Sequence, residues 1–439
     1  MVKNIQKELL PLYLNALSRS RLLASLIILM LALPALYFAT KIQQDSSTER
    51  FIVKSDVGIA KYETFKKRFG NDEGMVILLP ADFNKHFSFA PYQRLLESLQ
   101  KIPVITKIYS PFDKYEALIK NADLPALKKK VENNPFEEKG GLISFKEKYI
   151  AFLLFVDIAT PSGRTELFYR VNELIYASGF KPEIAAIGGE PVLNHFLGIS
   201  PQESMKIFLP ILFVLSAVFL YFFLGSLKGI LLPLTVVGFT ELFTFGLVGF
   251  AGGVFDMLSS ILPVVLYIVT LAGAIHILHH CFTLEYKNRE QYEKEVVQVF
   301  VDKFNPCLFS SFTTAAGFAS LFLSSVEPVK FLGLYLSWGV AISFFVLYTL
   351  LPLLCLVFVP LKSKRRTDYF YQKVISSLLK ISSGSTKTVL IFALALIALA
   401  IAVSGEISFQ TNGLLYFKKD SYVRVNTAKL EHAGFGMSR

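Results

Sequence analysis

Seven long apolar runs, at about 22–40, 206–224, 229–251, 258–280, 306–326, 331–359 and 388–405, constrain this chain more than any other feature. The first, Leu22 to Thr40, makes a helix about 28 Å long, which matches a bilayer core of roughly 30 Å. A single soluble globule is therefore excluded, and the chain reads as an α-helical multi-span membrane protein with about seven transmembrane helices. Composition agrees: 53% of the 439 residues are hydrophobic and 18% are charged, against about 25% charged in a soluble domain. Lys3, Lys7, Arg19 and Arg21 precede the first run as they would in a signal peptide. The run is longer than a usual signal core and YFATKIQ lacks an A-x-A site, so it reads as an uncleaved anchor.

Orientation follows from the short loops, because long domains cross a membrane regardless of charge. With the N-terminus inside, the inner segments 1–21, 225–228, 281–305 and 361–387 hold 4, 1, 4 and 7 Lys/Arg, whereas the short outer loops hold only Lys330. The N-terminus is thus expected in the cytoplasm, with 41–205 and 406–439 outside. The formal charge of +11 falls largely on this inner side and reads as a topology signal, with no nucleic acid implied. The basic run Lys362 to Arg366 reads as a stop-transfer flank. Cys281, Cys307 and Cys355 all lie in or beside apolar spans. The lack of cysteine in 41–205 favours a bacterial or archaeal protein, here the inner membrane of a bacterium.

The large polar region carries β-rich runs at 74–80, 104–110, 149–157 and 183–189. Helix-like stretches at 91–102, 113–133 and 163–179 separate them, giving a β-α-β order that ends α-β, as in ferredoxin-like units. An extracytoplasmic α+β ferredoxin-like domain is expected. The whole layout is a cytoplasmic N-terminus (1–21), a first span (22–40), the α+β domain (41–205), a five-helix membrane domain (206–359), a basic linker (360–387), a seventh span (388–405) and a last outer segment (406–439).

Specific stretches carry a family resemblance. SSFTTAAGFASLFLSSVEPVKFLGLYLSWGV (310–340) is similar to the fifth and sixth spans of resistance-nodulation-division (RND) transporters of the MMPL and sterol-sensing-domain (SSD) branch. IGGEPVLNHFLGIS (187–200) and FFLGSLKGILLPLTVVGFTELFTFGLVGFAGG (222–253) resemble the entry to the second span and the third span. The resemblance implies a porter-type outer domain, lipid or other hydrophobic substrates, and two tandem halves. RFIVKSD and KRFG after the first span are echoed by LLYFKKD and GFG after the seventh, so 406–439 reads as the truncated start of a second outer domain. A homo-oligomer, or a second half-chain, is the expected protein partner.

Charged groups inside a bilayer are few and costly, at about 2.5–3.5 kcal/mol at the helix centre, so each is a functional candidate. Glu241 lies mid-span. It reads equally as a protonatable group in an ion path and as a hydrogen-bonded acid that ties helices together. In proton-driven relatives the resemblance places an acidic residue in the fourth span ahead of an IH pair. TLAGAIHILHH puts Gly273 at that acidic position, with His276 one turn further on. A substituted relay through His276 and Glu241 is the alternative. Thr313, Thr314 and Gly317 resemble the family's fifth span, where they either face the relay or simply permit close packing.

The H-x-x-H-H spacing of His276, His279 and His280 also occurs in membrane di-iron enzymes, but those need about eight histidines and this chain has six. No metal and no cofactor is expected, and no hydrolase triad or phosphate loop suggests an enzyme. Two readings remain. One is a proton-driven exporter of hydrophobic or lipid-like molecules, and the other is a lipid-binding or sensing membrane protein, or an inactive remnant, without coupled flux.

Overall fold

The computed structural model describes residues 5–45, 47–51, 57–69, 73–84, 86–121, 123–134, 141–158, 161–181, 183–358, 376–377, 379–380, 386–405 and 413–435. Up to the second strand the elements are α1 (Leu10–Arg19), α2 (Arg21–Ala39), α3 (Val57–Phe69), β1 (Gly74–Pro80), α4 (Ala90–Leu99) and β2 (Ile105–Tyr109). There follow α5 (Leu124–Glu132), β3 (Ile143–Ser144), β4 (Tyr149–Val156), α6 (Pro161–Ala177), β5 (Ala186–Gly189) and α7 (Glu190–Leu224). Apart from the two-residue strand Val254–Phe255, the principal remaining elements are helices: α8 (Leu227–Phe250), α9 (Leu262–Phe282), α10 (Arg289–Ser320), α11 (Glu327–Val357), α12 (Thr386–Ser404) and α13 (Tyr422–His432). The chain divides into a helical unit and an α+β unit, with α7 split between them after Glu203. The basic run Lys362–Arg366 lies outside the described residues.

Six helices in the described residues are long and apolar enough to cross a membrane, and α12 contributes the shorter apolar stretch Val389–Ser404. The seven apolar runs thus correspond to six long helices and one shorter one. Within the helical unit α2 lies along α8, and glycine is what allows it. A Cβ on Gly246 would meet the Ala35 backbone, and one on Gly249 would run into the Phe38 carbonyl. The core below them is built from Leu232, Val236, Leu271, Ile277, Phe300 and Leu351, all apolar and all from different turns of four helices. α10 begins well before its apolar run. Its first turns bury Tyr292, Val296 and Phe300, and Asn288 caps them by accepting from the Gln291 amide at 2.9 Å.

In the α+β unit the sheet order is β2-β4-β1-β5, every pairing is antiparallel, and β3 adds to β4. β1 sits centrally because it is apolar on both faces: Met75, Val76, Ile77 and Leu79 are all buried. β5 meets it through Gly189, whose φ of +124° and contact with the Gly74 carbonyl no side chain could share. One face of the sheet packs Leu95, Leu99, Leu167, Val171 and Ile175 from α4 and α6. A buried ion pair between Glu73 and Arg164 ties the start of β1 to α6. His195 stacks on Phe168, with Nδ1 2.9 Å from the Thr165 hydroxyl, as a core histidine.

The other face receives α13. Leu430 is buried against Val76 and Ala186, and the Tyr149 hydroxyl donates to the Ala433 carbonyl at 3.0 Å. This helix thus lies on the sheet formed by residues 74–189, within one unit.

Candidate functional site

Hydroxyl and carboxyl side chains from four helices meet in the apolar interior of the helical unit. α8 places the central group. Its first turn is capped by Ser226, which accepts from the Gly229 amide at 3.1 Å, and Glu241 follows as the fifteenth of its 24 residues. No snorkelling to either end is open to so short a side chain at that depth. Oε1 of Glu241 is buried and accepts no hydrogen bond among the described residues.

The Tyr267 hydroxyl from α9 lies beside Glu241 and beside Ser216 of α7. It too makes no hydrogen bond of normal geometry among the described residues. One turn on from Tyr267, Thr270 donates to the Ser343 hydroxyl of α11 at 3.0 Å, both groups buried. Thr240 and Thr244 are completely buried on α8, where the Thr244 hydroxyl donates back to the Thr240 carbonyl at 2.7 Å. The result is a seam of acceptors and donors crossing an otherwise apolar bundle, with three groups, the Glu241 carboxyl, the Thr240 hydroxyl and the Tyr267 phenol, carrying unused capacity among the described residues. Such capacity is expensive in a bilayer and marks a place where a proton or a polar ligand can be taken up.

His276 is not part of this seam. It lies nine residues beyond Tyr267 on α9, about 13 Å along the helix. There it is exposed, its ring 6.1 Å from that of His280 and in electrostatic reach of Lys303. Gly273 turns instead toward α11, where an added Cβ would meet the Leu347 side chain. Thr313 and Thr314 bond the backbone of their own helix, the former to the carbonyls of Phe309 and Ser310 and the latter to Ser310. Gly317 faces open space. Asp256 closes the turn before α9 by accepting from the amide and hydroxyl of Ser259 at 2.9 and 2.8 Å.

Ser216, Tyr267, Thr270 and Ser343 were not singled out from the sequence. Hydroxyls spaced three or four residues apart in an apolar span, as in Thr240/Thr244 and Tyr267/Thr270, are the signal that identifies such a seam.

The fold and this seam define a multi-pass helical membrane protein. Residues 177–377, from the end of α6 past α11, match the sequence model of the MMPL family. The resemblance to RND and MMPL transporters holds over that stretch, which includes every residue of the seam. No curated protein matches the chain.

Proposed function

We propose that the chain is an exporter of hydrophobic or lipid-like molecules in the inner membrane of a bacterium, driven by protons through Glu241. The N-terminus lies in the cytoplasm on this reading, and the α+β unit is an extracytoplasmic, ferredoxin-like porter domain that handles substrate. The observation that carries it is the half-buried Glu241 carboxyl, its Oε1 buried and without a hydrogen-bond partner among the described residues, beside the Tyr267 hydroxyl that Ser216 also approaches, inside the family-matched region. A carboxyl in that position can accept a proton from one side and release it to the other when the helices shift, and the neighbouring hydroxyls can relay it. His276, at the end of the same helix as Tyr267, would serve as the exchange point with the cytoplasm.

Reconstitution tests this. In proteoliposomes with an imposed pH gradient, wild type moves a fluorescent lipid analogue, Glu241→Gln abolishes the gradient-dependent part and His276→Ala reduces it. Equal flux in wild type and Glu241→Gln would overturn the reading.

One observation favours a second reading, an SSD-like lipid-binding or sensing protein. The position of the usual acid is Gly273, where a side chain can enter only by displacing the tip of Leu347. That protein would bind lipid with unchanged affinity in both variants and show no flux in any form.

A further inference from the structure

A second concave site, remote in sequence from the seam, lies in the α+β unit. After α4 the chain turns at Lys101 and Ile102, whose amides bond the Ser98 and Leu99 carbonyls, and enters β2. This early turn leaves a cavity of about 520 Å³ between the end of α4, the entry to β2 and α6. Its α6 wall comes from Gly163, Leu167, Arg170 and Leu174, which recur every three or four residues and so share one helix face.

The lining has two kinds of surface. Ile102, Val104, Leu167 and Leu174 make an aliphatic floor, and all but Leu167 are only half-buried, so apolar surface stays open to the cavity. Lys101 and Arg170 stand on the rim with the single acid Glu166. Arg170 spends Nη1 on Glu173 at 2.6 Å and keeps its other N–H groups, while Lys101 forms no ion pair among the described residues. The volume falls in the range of about 300–1,000 Å³ typical of small-molecule sites, and uncovered apolar surface in a concavity marks a ligand site.

We propose that this cavity binds a fatty acid, its acyl chain along the aliphatic floor and its carboxylate at Lys101 and Arg170. Among the described residues no aromatic ring lines the cavity to stack on a base or sugar, and no acidic cluster there suits a metal ion. A floor of branched aliphatic side chains suits a flexible hydrocarbon, and the basic rim suits an anionic head. The space suits one acyl chain rather than a two-chain lipid. The inference goes beyond the transport reading and does not depend on it, since binding is read at equilibrium without a proton gradient.

Photolabelling of the full chain in neutral-lipid nanodiscs tests it, with a palmitate carrying a terminal diazirine as probe and mass spectrometry of the digested protein as readout. Adducts are expected on peptides containing residues 98–104 and 163–174. Lys101→Glu, a change on an exposed side chain, lowers their yield about tenfold, and Leu174→Trp, which fills the floor, lowers it similarly. Unlabelled palmitate competes and hexadecanol competes weakly. Labelling confined to the membrane helices, or unaltered by Lys101→Glu, would overturn the proposal. Hexadecanol competing as well as palmitate would do the same, by removing the role of the carboxylate. So would displacement by lysophosphatidic acid in preference to palmitate, which would reassign the site to a phosphate-bearing lipid.

Discussion

Gly273 of α9 packs directly on Leu347 of α11: a Cβ built on the glycine would stand 2.8 Å from Leu347 Cδ1, and Leu347 is itself only 3% exposed. The close approach of these two helices and the Thr270–Ser343 hydrogen bond one turn away belong to the same seam. Gly273 therefore acts as a packing residue between α9 and α11.

The contact predicts a graded response. Gly273→Ala needs only the tip of the Leu347 side chain to swing aside, and the melting temperature in detergent is expected to fall by a few degrees at most. Gly273→Asp adds both volume and a polar group, costing about 1–3 kcal/mol from overpacking alone. Adding Leu347→Ala to Gly273→Asp is expected to recover part of the loss. No recovery would show that the cost does not arise at this contact.

The Tyr149–Ala433 hydrogen bond predicts local rather than global change. Tyr149→Phe removes the donor and leaves the Ala433 carbonyl buried with one partner fewer, a cost of about 1–3 kcal/mol. Hydrogen exchange of α13 is expected to rise, while that of β1 and β4 changes little. Unaltered protection of residues 422–432 would mean that Leu430 and its apolar contacts alone hold the helix in place.

A different signature is expected for the Glu73–Arg164 pair, whose side chains are 2% and 8% exposed. Breaking a buried pair from one side leaves an uncompensated charge and costs about 3–5 kcal/mol, whereas replacing both partners with well-packed apolar residues can be near neutral. Arg164→Met is therefore expected to destabilise the α+β unit more than the Glu73→Leu, Arg164→Met double variant does. Limited proteolysis of the full chain at increasing temperature reads the difference, and additive losses would contradict it.

Much of this fold is legible because its signals are local. The run GMVILLP is bounded by charge before and turn residues after, and the strand Gly74–Pro80 has those same limits. Apolar length likewise fixes where helices cross. The stretch 113–133, by contrast, is broken into short pieces, with Asp123 capping Leu124–Glu132 ahead of Pro125. Placement of α13 on the sheet is a long-range packing choice between two apolar faces, and periodicity within 11 residues cannot express it. The seam is half visible for the same reason: Glu241 is conspicuous as a charge in an apolar run, but Tyr267 beside it and Ser216 beside Tyr267 come from other helices and only the packing joins them.

Tyr92 provides a test of the α+β core at alkaline pH. Its phenol is 4% exposed, donates to the Pro80 carbonyl at 2.6 Å, and is pushed by burial up to about 12 from an ordinary value of 10. The folded state thus holds the proton over a range in which the unfolded chain has lost it, so stability falls as pH rises. The contribution is fully present below pH 10 and is lost progressively between about 10 and 12, a change of up to about 3 kcal/mol at about 1.4 kcal/mol per unit. Tyr422 shifts in the same direction and to a similar value, so the clean comparison is made in a Tyr422→Phe background. There, Tyr92→Phe is expected to start about 1 kcal/mol less stable at pH 8, having lost one hydrogen bond, but to decline less steeply above pH 10. Thermal unfolding of the full chain across pH 8 to 11.5 measures both slopes, and parallel curves would show that Tyr92 ionises as readily in the folded protein as in the unfolded chain.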